Sequence, residues 1–465
     1  MPYSSFKQSG LDGFKSKKIK RILGNPPGKP LGISATDVGT GRGYNNGAAN
    51  ISFTKGAGEE PLYYLVSASP GNITVNTQST SFLFEGLNSN VSYVFTVTAV
   101  NDAGVSEVSD SSSSTLITTV PETPILSSVS YGYRRLTSSF SSVNNGGKSI
   151  INYTMSASPN TATSASAGSI TISNIGVGTY PVLIFASNAN GNSLNSNIIN
   201  ESPFDVSGGA VSTSGNDRIH TFTGSSNLTV TGNNINNFNY LIIAGGGGGG
   251  GGPGEQGGGG GGAGGVRSTV SNTGQNTTLE SQLIVAPNTY SVTVGAGGSP
   301  GNTGTSLAAN GNNSSFSTIT STGGGGGNQV TQTGGNGGSG GAGNGVGIAG
   351  QGNNGGPTRG GSQGGHRGGG AGATGANGGT GITNSISGSS VAYAGGGGGG
   401  NGFASPANGG VGIGSGVSVN GGGAGGGGAG TANTGGGGGG ATDDVEGSGV
   451  GGSGGSGIVI LRYAT

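Results

Sequence analysis

From about residue 30 the chain sets apolar and polar positions in short alternating runs broken by Gly, Asn and Pro, the two-residue period of half-buried strands. "ANISFTKG", "LYYLVSASPG", "TSFLFEGL", "VSYVFTVTAVNDAG" and "STLITTV" each read as one strand of an antiparallel sandwich. In "YVFTVTAV" the alternation puts Tyr93, Phe95, Val97 and Ala99 on one face, which predicts a single buried side. The pattern then repeats. Tyr93 is followed by Ala99, Asn101, Gly104 and Ser106, and Tyr180 is followed at the same offsets by Ala186, Asn188, Gly191 and Ser193. "YLVSASP" from Tyr64 likewise matches "YTMSASP" from Tyr153, so the segment is duplicated.

Beyond about residue 206 the pattern changes. "RIHTFTG", "NLTVTG", "FNYLIIAG", "QLIVAPNTYSVTVGAGG", "SSFSTITSTGG", "VAYAGGGG" and the terminal "GIVILRYAT" are short apolar patches, and most are followed by runs of glycine; 88 of the 114 glycines follow residue 240. A flexible linker has no use for such patches, so they predict strands that pin the ends of long glycine excursions. A collagen helix needs glycine at every third place and abundant proline, and these runs keep neither rule. Glycine in an extended helix of three residues per turn makes no internal hydrogen bonds, so its amides must bond to neighbouring threads. Threads without side chains lie close enough to do so on every side. Their packing must offset about 1–2 kcal/mol of backbone entropy per residue, which only a dense bundle clipped by strands achieves.

Two resemblances follow from these residues. "LNSNVSYVFTVTAVNDAGVS" resembles the E-to-F region of a fibronectin type III module, with Leu87 and Tyr93 at its tyrosine corner. The likeness covers residues 27–120 and, more loosely, 121–205, where Ile175 stands one residue closer to Tyr180 than Leu87 does to Tyr93. It implies spacer or binding modules, with Phe53 and Phe140 in place of the family's strand-B tryptophan. "NYLIIAGGGGGGGG" after "HTFTG", "YSVTVGAGG" with "SSF" downstream, and the terminal "GGSGGSGIVILRY" resemble the glycine-rich domains of bacteriophage tail-fibre tips and other viral surface proteins. That likeness spans residues 210–465 and implies a distal adhesin of packed polyglycine II helices that binds a host through the loops between them. The expected fold is therefore all-β, with a basic arm (1–29), two sandwiches (30–120 and 121–205) and a glycine-rich domain (206–465).

Composition and charge narrow the chemistry. The chain has no cysteine, which removes disulfides, thiolate nucleophiles and cysteine-based zinc sites. Its longest apolar runs, such as "LIIA" and "GIVIL", are far too short to span a bilayer, and no secretory-signal core opens it, so a soluble protein without membrane insertion is expected. The formal charge of zero hides a basic first segment, in which Lys7, Lys15, Lys17, Lys18, Lys20, Arg21 and Lys29 face Asp12 alone. Such an arm is either a solvated tail or a docking segment for an acidic surface of nucleic acid, lipid or protein. Phe6, Phe14, Ile19, Ile22 and Leu23, interleaved as apolar anchors, favour docking, with Lys15, Lys17, Lys18, Lys20 and Arg21 as the contacts.

No catalytic set assembles. "GGKS" at Gly146–Ser149 has Ser142 where a phosphate loop needs its leading glycine, and reads as a turn. The Gly-x-Gly-x-x-Gly strings near residue 345 lack the helix and acidic partner of a dinucleotide site. His220 and His366, the only histidines, stand far apart, and Glu59 and Glu60 lack partners for acid–base work. Asp443, Asp444 and Glu446 could hold a hard cation but read better as a solvated loop, since no aspartate recurs at a calcium-repeat spacing. Tyr290 and Phe316 read as core, whereas Tyr393 and Phe403 border a loop-like insertion where an exposed ring could stack on a sugar or an apolar receptor patch. The expectation is a non-enzymatic protein of the virion surface without cofactor or metal. Its arm would dock on other virion proteins, its glycine domain would meet a host glycan or protein, and it would form a homo-oligomer. A purely structural decoration role is the alternative, a secreted matrix protein ranks third, and an enzyme ranks last.

Overall fold

The computed structural model describes residues 24–252, 257–302, 307–328, 332–357, 378–400, 426–441 and 449–465. Among them the architecture is all-β, with one 3₁₀ turn, Gly274–Asn276, and no α-helix. The chain forms two compact units: residues 1–129, 138–171 and 181–199 make the first, and residues 130–137, 172–180 and 200–465 the second.

In the first sandwich, Leu31–Asp37, Gly47–Thr54 and Ser81–Leu87 form one sheet. Ile73–Thr77, Tyr63–Ser69, Val91–Asn101 and Gly104–Val105 form the other, with Thr115–Ile117 also paired to Val91–Asn101. The alternation carries the packing: Tyr93, Phe95, Val97 and Ala99 all face a core shared with Ile51, Tyr64, Val66, Phe84 and Leu87. The corner closes as the tyrosine pattern implies, with the Asn88 N–H donating to the Tyr93 hydroxyl at 3.2 Å. Phe53 fills its expected place by packing edge-on against Tyr64, ring centroids 4.8 Å apart.

The second copy repeats the aromatic and strand-pairing contacts, while its half-buried Tyr180 instead donates its hydroxyl to the Gly176 carbonyl at 3.0 Å. Phe140 packs on Tyr153 at 5.0 Å, and Tyr153 pairs with Ala186 as Tyr64 pairs with Ala99. Both copies also share a serine device. Ser106, Ser109 and Ser112 each donate their N–H to a carbonyl of Val91–Asn101 and accept the same residue's amide on Oγ, engaging Ala99, Val97 and Phe95 in turn. Ser193 and Ser196 bind Ala186 and Ile184 in the same way. A segment stepping by three thus serves a strand stepping by two. The end of the basic arm belongs to the first sandwich, since Asn101 Nδ2 donates to the Asn25 carbonyl and Lys29 pairs with Asp110 at 2.7 Å. "GGKS" opens with a turn in which Gly146 and Gly147 take φ of +67° and +86°.

The described residues of the second unit hold two large antiparallel sheets, besides the hairpin Ile382–Asn384 and Val391–Tyr393. One runs Asp205–Ser207, Ser226–Thr231, Asn288–Thr293, Ser314–Phe316, Ile319–Ser321. The other runs Ala210–Ser214, Asp217–Phe222, Ile458–Ala464, Ile235–Ile243, Val266–Ser268, with Leu283–Val285 also on Ile235–Ile243. The unbroken apolar runs "YLII" and "IVIL" have a physical reason: both faces of their sheet are covered. Tyr240, Ile242, Val459, Leu461 and Tyr463 enter one core with Phe222, Phe238 and Phe316, while Leu241, Ile243, Ile458 and Ile460 enter another. The chain end is thus an interior strand, paired on both sides.

Candidate functional site

The run after Ile243 is buried from Ala244 to Gly252 although it offers no side chain larger than a methyl group. Its amides leave in three directions that recur every third residue. Gly245 and Gly248 donate to the carbonyls of Asn312 and Ala309, Gly246 and Gly249 to Gly455 and Gly452, and Gly247 and Gly250 to Gly262 and Gly259, at 2.7–3.0 Å. Its carbonyls accept in three further directions: Gly245 and Gly248 from Gly324 and Gly327, Gly246 and Gly249 from Gly298 and Gly301, and Gly247 and Gly250 from Gly438 and Ala441. Partner numbers fall along the donor side and rise along the acceptor side. The central thread therefore donates to three antiparallel neighbours and accepts from three parallel ones.

The six neighbours also bond to one another in a closed ring. The links are Gly311 to Gly324, Gly262 to Gly325, Gly261 to Gly438, Gly452 to Gly439, Gly454 to Gly298 and Ala309 to Ser299. This spacing leaves no room for side chains. A Cβ on any of Gly245 to Gly249 would stand 2.0–2.1 Å from a carbonyl oxygen of an adjoining thread. Methyls are admitted only at chosen places, as at the buried Ala244, Ala263, Ala342 and Ala441. At the margin, side-chain amides replace missing threads: Gly323 and Gly326 donate to Oδ1 of Asn313 and Asn310, and Thr322 donates to Oε1 of Gln351.

The strands hold this bundle at one end through a mostly apolar interior with few ionisable groups. His220 lies fully buried on Asp217–Phe222, with Nδ1 2.6 Å from the Gly208 carbonyl and Nε2 3.0 Å from the Tyr463 hydroxyl. Those partners fix the neutral tautomer, with Nδ1–H donating to the carbonyl and Nε2 accepting from the phenol. Burial pushes the imidazole below its ordinary value, and the nearby Arg218 adds to this; the Gly208 bond and Asp205 act the other way. Burial also pushes the Tyr463 phenol up. Tyr240 donates to Glu280 at 2.6 Å, and Arg267 grips the same carboxylate through Nε at 2.8 Å and Nη2 at 2.7 Å. These groups are spent on structure.

The ring of Tyr393 is only 4% exposed and sits in the core with Leu241, Ile243, Ile382 and Ile386. This corrects the expectation of an exposed stacking ring: the hairpin Ile382–Asn384 and Val391–Tyr393 turns it inward. Phe316 is core as expected, and Tyr290 packs against that core half-buried. Glu60 pairs with Lys55. Lys15, Lys17, Lys18, Lys20, Arg21, His366, Phe403, Asp443, Asp444 and Glu446 lie outside the described residues. Among the described residues no three His, Cys, Asp or Glu side chains gather as a metal site, and no helix is long and apolar enough to cross a membrane. The closed ring around residues 244–252 was out of reach of sequence reasoning, because identical glycine runs do not say which pairs with which.

A model of the glycine-rich domain family matches residues 220–464, more than half of the chain and the whole of this bundle. The chain belongs to the glycine-rich domain family. A fibronectin type III model matches residues 39–115, within the first sandwich. No curated protein matches the chain. Among solved structures it is similar to the crystal structure of the chicken CNTN1 FN1-FN3 domains, at 15% identity and a TM-score of 0.25 over 58% of this chain and 92% of that one. It is also similar to titin kinase with its flanking domains, at 16% identity and a TM-score of 0.17, over 25% of this chain and 27% of that one.

Proposed function

We propose that this is a non-enzymatic structural protein of a virus particle, a surface or tail fibre whose threads are packed polyglycine II helices and whose glycine-rich domain meets the host. The observation that carries the reading is the central thread bonded on six sides with a three-residue period, the pattern such helices would need. A bundle of this kind is stiff and almost free of charge, which suits a tip exposed to changing salt and oxidant. In this reading the segments that connect one thread to the next meet the receptor. In this reading the basic arm around Lys15, Lys17, Lys18, Lys20 and Arg21 docks on other virion proteins, and the protein assembles as a homo-oligomer. A decoration role, with the bundle packed against capsid or tail neighbours, is the second reading, and the same lack of charge supports it.

Cryo-electron microscopy of the intact particle separates the two. The adhesin reading expects the bundle outermost and the arm at the particle. Particles assembled with a chain lacking residues 206–465 are expected to form normally and to lose adsorption to cells. Normal adsorption by those particles rules out host recognition by this domain.

A further inference from the structure

Within the first unit, residues of both sandwiches line a recess of about 540 Å³ whose wall includes Gly43, Tyr44, Glu122, Thr123, Asn192 and Leu194. Its size falls in the range of small-molecule sites. The walls are tied by hydrogen bonds that run from buried, around Asn188 and Asn190, to exposed, at Glu122. Asp37 accepts from both the N–H and the hydroxyl of Thr118, while Asn190 Nδ2 donates to Thr118 Oγ1 at 2.8 Å and to the Thr119 carbonyl at 3.1 Å. Asn188 Nδ2 ties the Thr119 and Asn145 carbonyls together at 2.8 Å each. The loop carrying Tyr44 is anchored beside it, where the Asn45 N–H donates to Ser89 Oγ and Gly41 N–H to the Asn190 carbonyl. Glu122 is clamped by the Asn144 N–H and side-chain amide. A cavity held this way keeps its shape without a ligand, so little of the binding energy is lost to ordering.

The lining is chemically selective. It presents a half-buried phenol, a carboxylate, an amide and a threonine hydroxyl beside the apolar Val120 and Pro121, with Leu194 at 78% exposure on the wall. No Lys, Arg or His lines it, which disfavours anionic ligands. Hydroxyl donors matched to the carboxylate, with C–H faces matched to the phenol ring and aliphatic wall, describe a sugar. Gly41 and Gly43 line the recess without a side chain, and a Cβ on either meets nothing within 4 Å. We propose that this junction recess binds a neutral saccharide of about two residues. The proposal concerns the sandwiches and is independent of what the glycine bundle contacts.

The test is saturation-transfer NMR and calorimetry on the full chain with lactose, maltose and cellobiose, and with sialyllactose as the anionic control. At least one neutral disaccharide is expected to bind saturably, and sialyllactose more weakly. Gly43→Leu, which fills open space at a position without backbone strain, is expected to weaken binding about tenfold or more at an unchanged melting temperature. Tyr44→Phe and Glu122→Gln are expected to weaken it by smaller factors. Failure of all three neutral sugars to bind, preference for sialyllactose, or full binding by Gly43→Leu overturns the proposal.

Discussion

Single positions in this molecule are decided by what lies beside them, and His220 is the sharpest case. Its imidazole is buried and neutral between the Gly208 carbonyl and the Tyr463 hydroxyl, with its affinity for a proton depressed. The unfolded chain binds that proton from about pH 6.5 downward, whereas the folded chain resists it. Stability is therefore fully present above about pH 6.5 and is lost as pH falls through the depressed folded value. Denaturant titrations from pH 8 to 5 check this, and in His220→Gln the part of the loss due to this group should vanish. Glycine at the centre of the bundle offers a second test. Gly249→Ala sets a methyl about on top of the Gly439 carbonyl and is expected to cost roughly 1–3 kcal/mol or to prevent folding. Gly224→Ala, where the added carbon meets nothing, should leave the melting temperature almost unchanged. Residues like Phe53, Tyr93 and Phe316 were legible because alternation announces their burial. Tyr393 was not, because one aromatic at the border of a glycine run reads as loop until the hairpin that buries it is seen. The bond between His220 and Tyr463 spans more than half the chain, and no local pattern records it.

At the scale of elements, the stepping of one segment against another sets what is strong. Ser109 engages Val97 through both its N–H and its Oγ. Ser109→Ala removes the Oγ partner of a buried amide and is expected to destabilise the first sandwich by about 1–3 kcal/mol, read by chemical denaturation of the full chain. Ile458–Ala464 is paired on both sides and lines two cores, so deletion of residues 458–465 should abolish the folded glycine domain while leaving the first-sandwich signals in the NMR spectrum. The sandwiches were readable from the sequence because a two-residue period and a duplicated tyrosine frame leave few alternatives. The serine device was half visible, as matching serines at matching offsets, but its hydrogen bonds were not.

For the whole molecule, order rests on backbone as much as on side chains. Amide exchange across 245–250 is expected to be slowed to the level of the neighbouring strands, although nothing there but glycine is present. Exchange at free-peptide rates would remove the bundle from the description. Composition alone announced that glycine threads needed partners, yet the ring of six around one centre depends on how the strands bring distant runs together.

The three-residue step also governs how such a chain can change over generations. Gaining or losing three residues within a thread, with the same change in its neighbours, lengthens or shortens the block and keeps each peptide aimed at its old direction. Any count that is not a multiple of three turns every later amide by a third of a revolution, one way or the other, toward the wrong companion, so inheritable length variation inside the block is counted in triplets of residues.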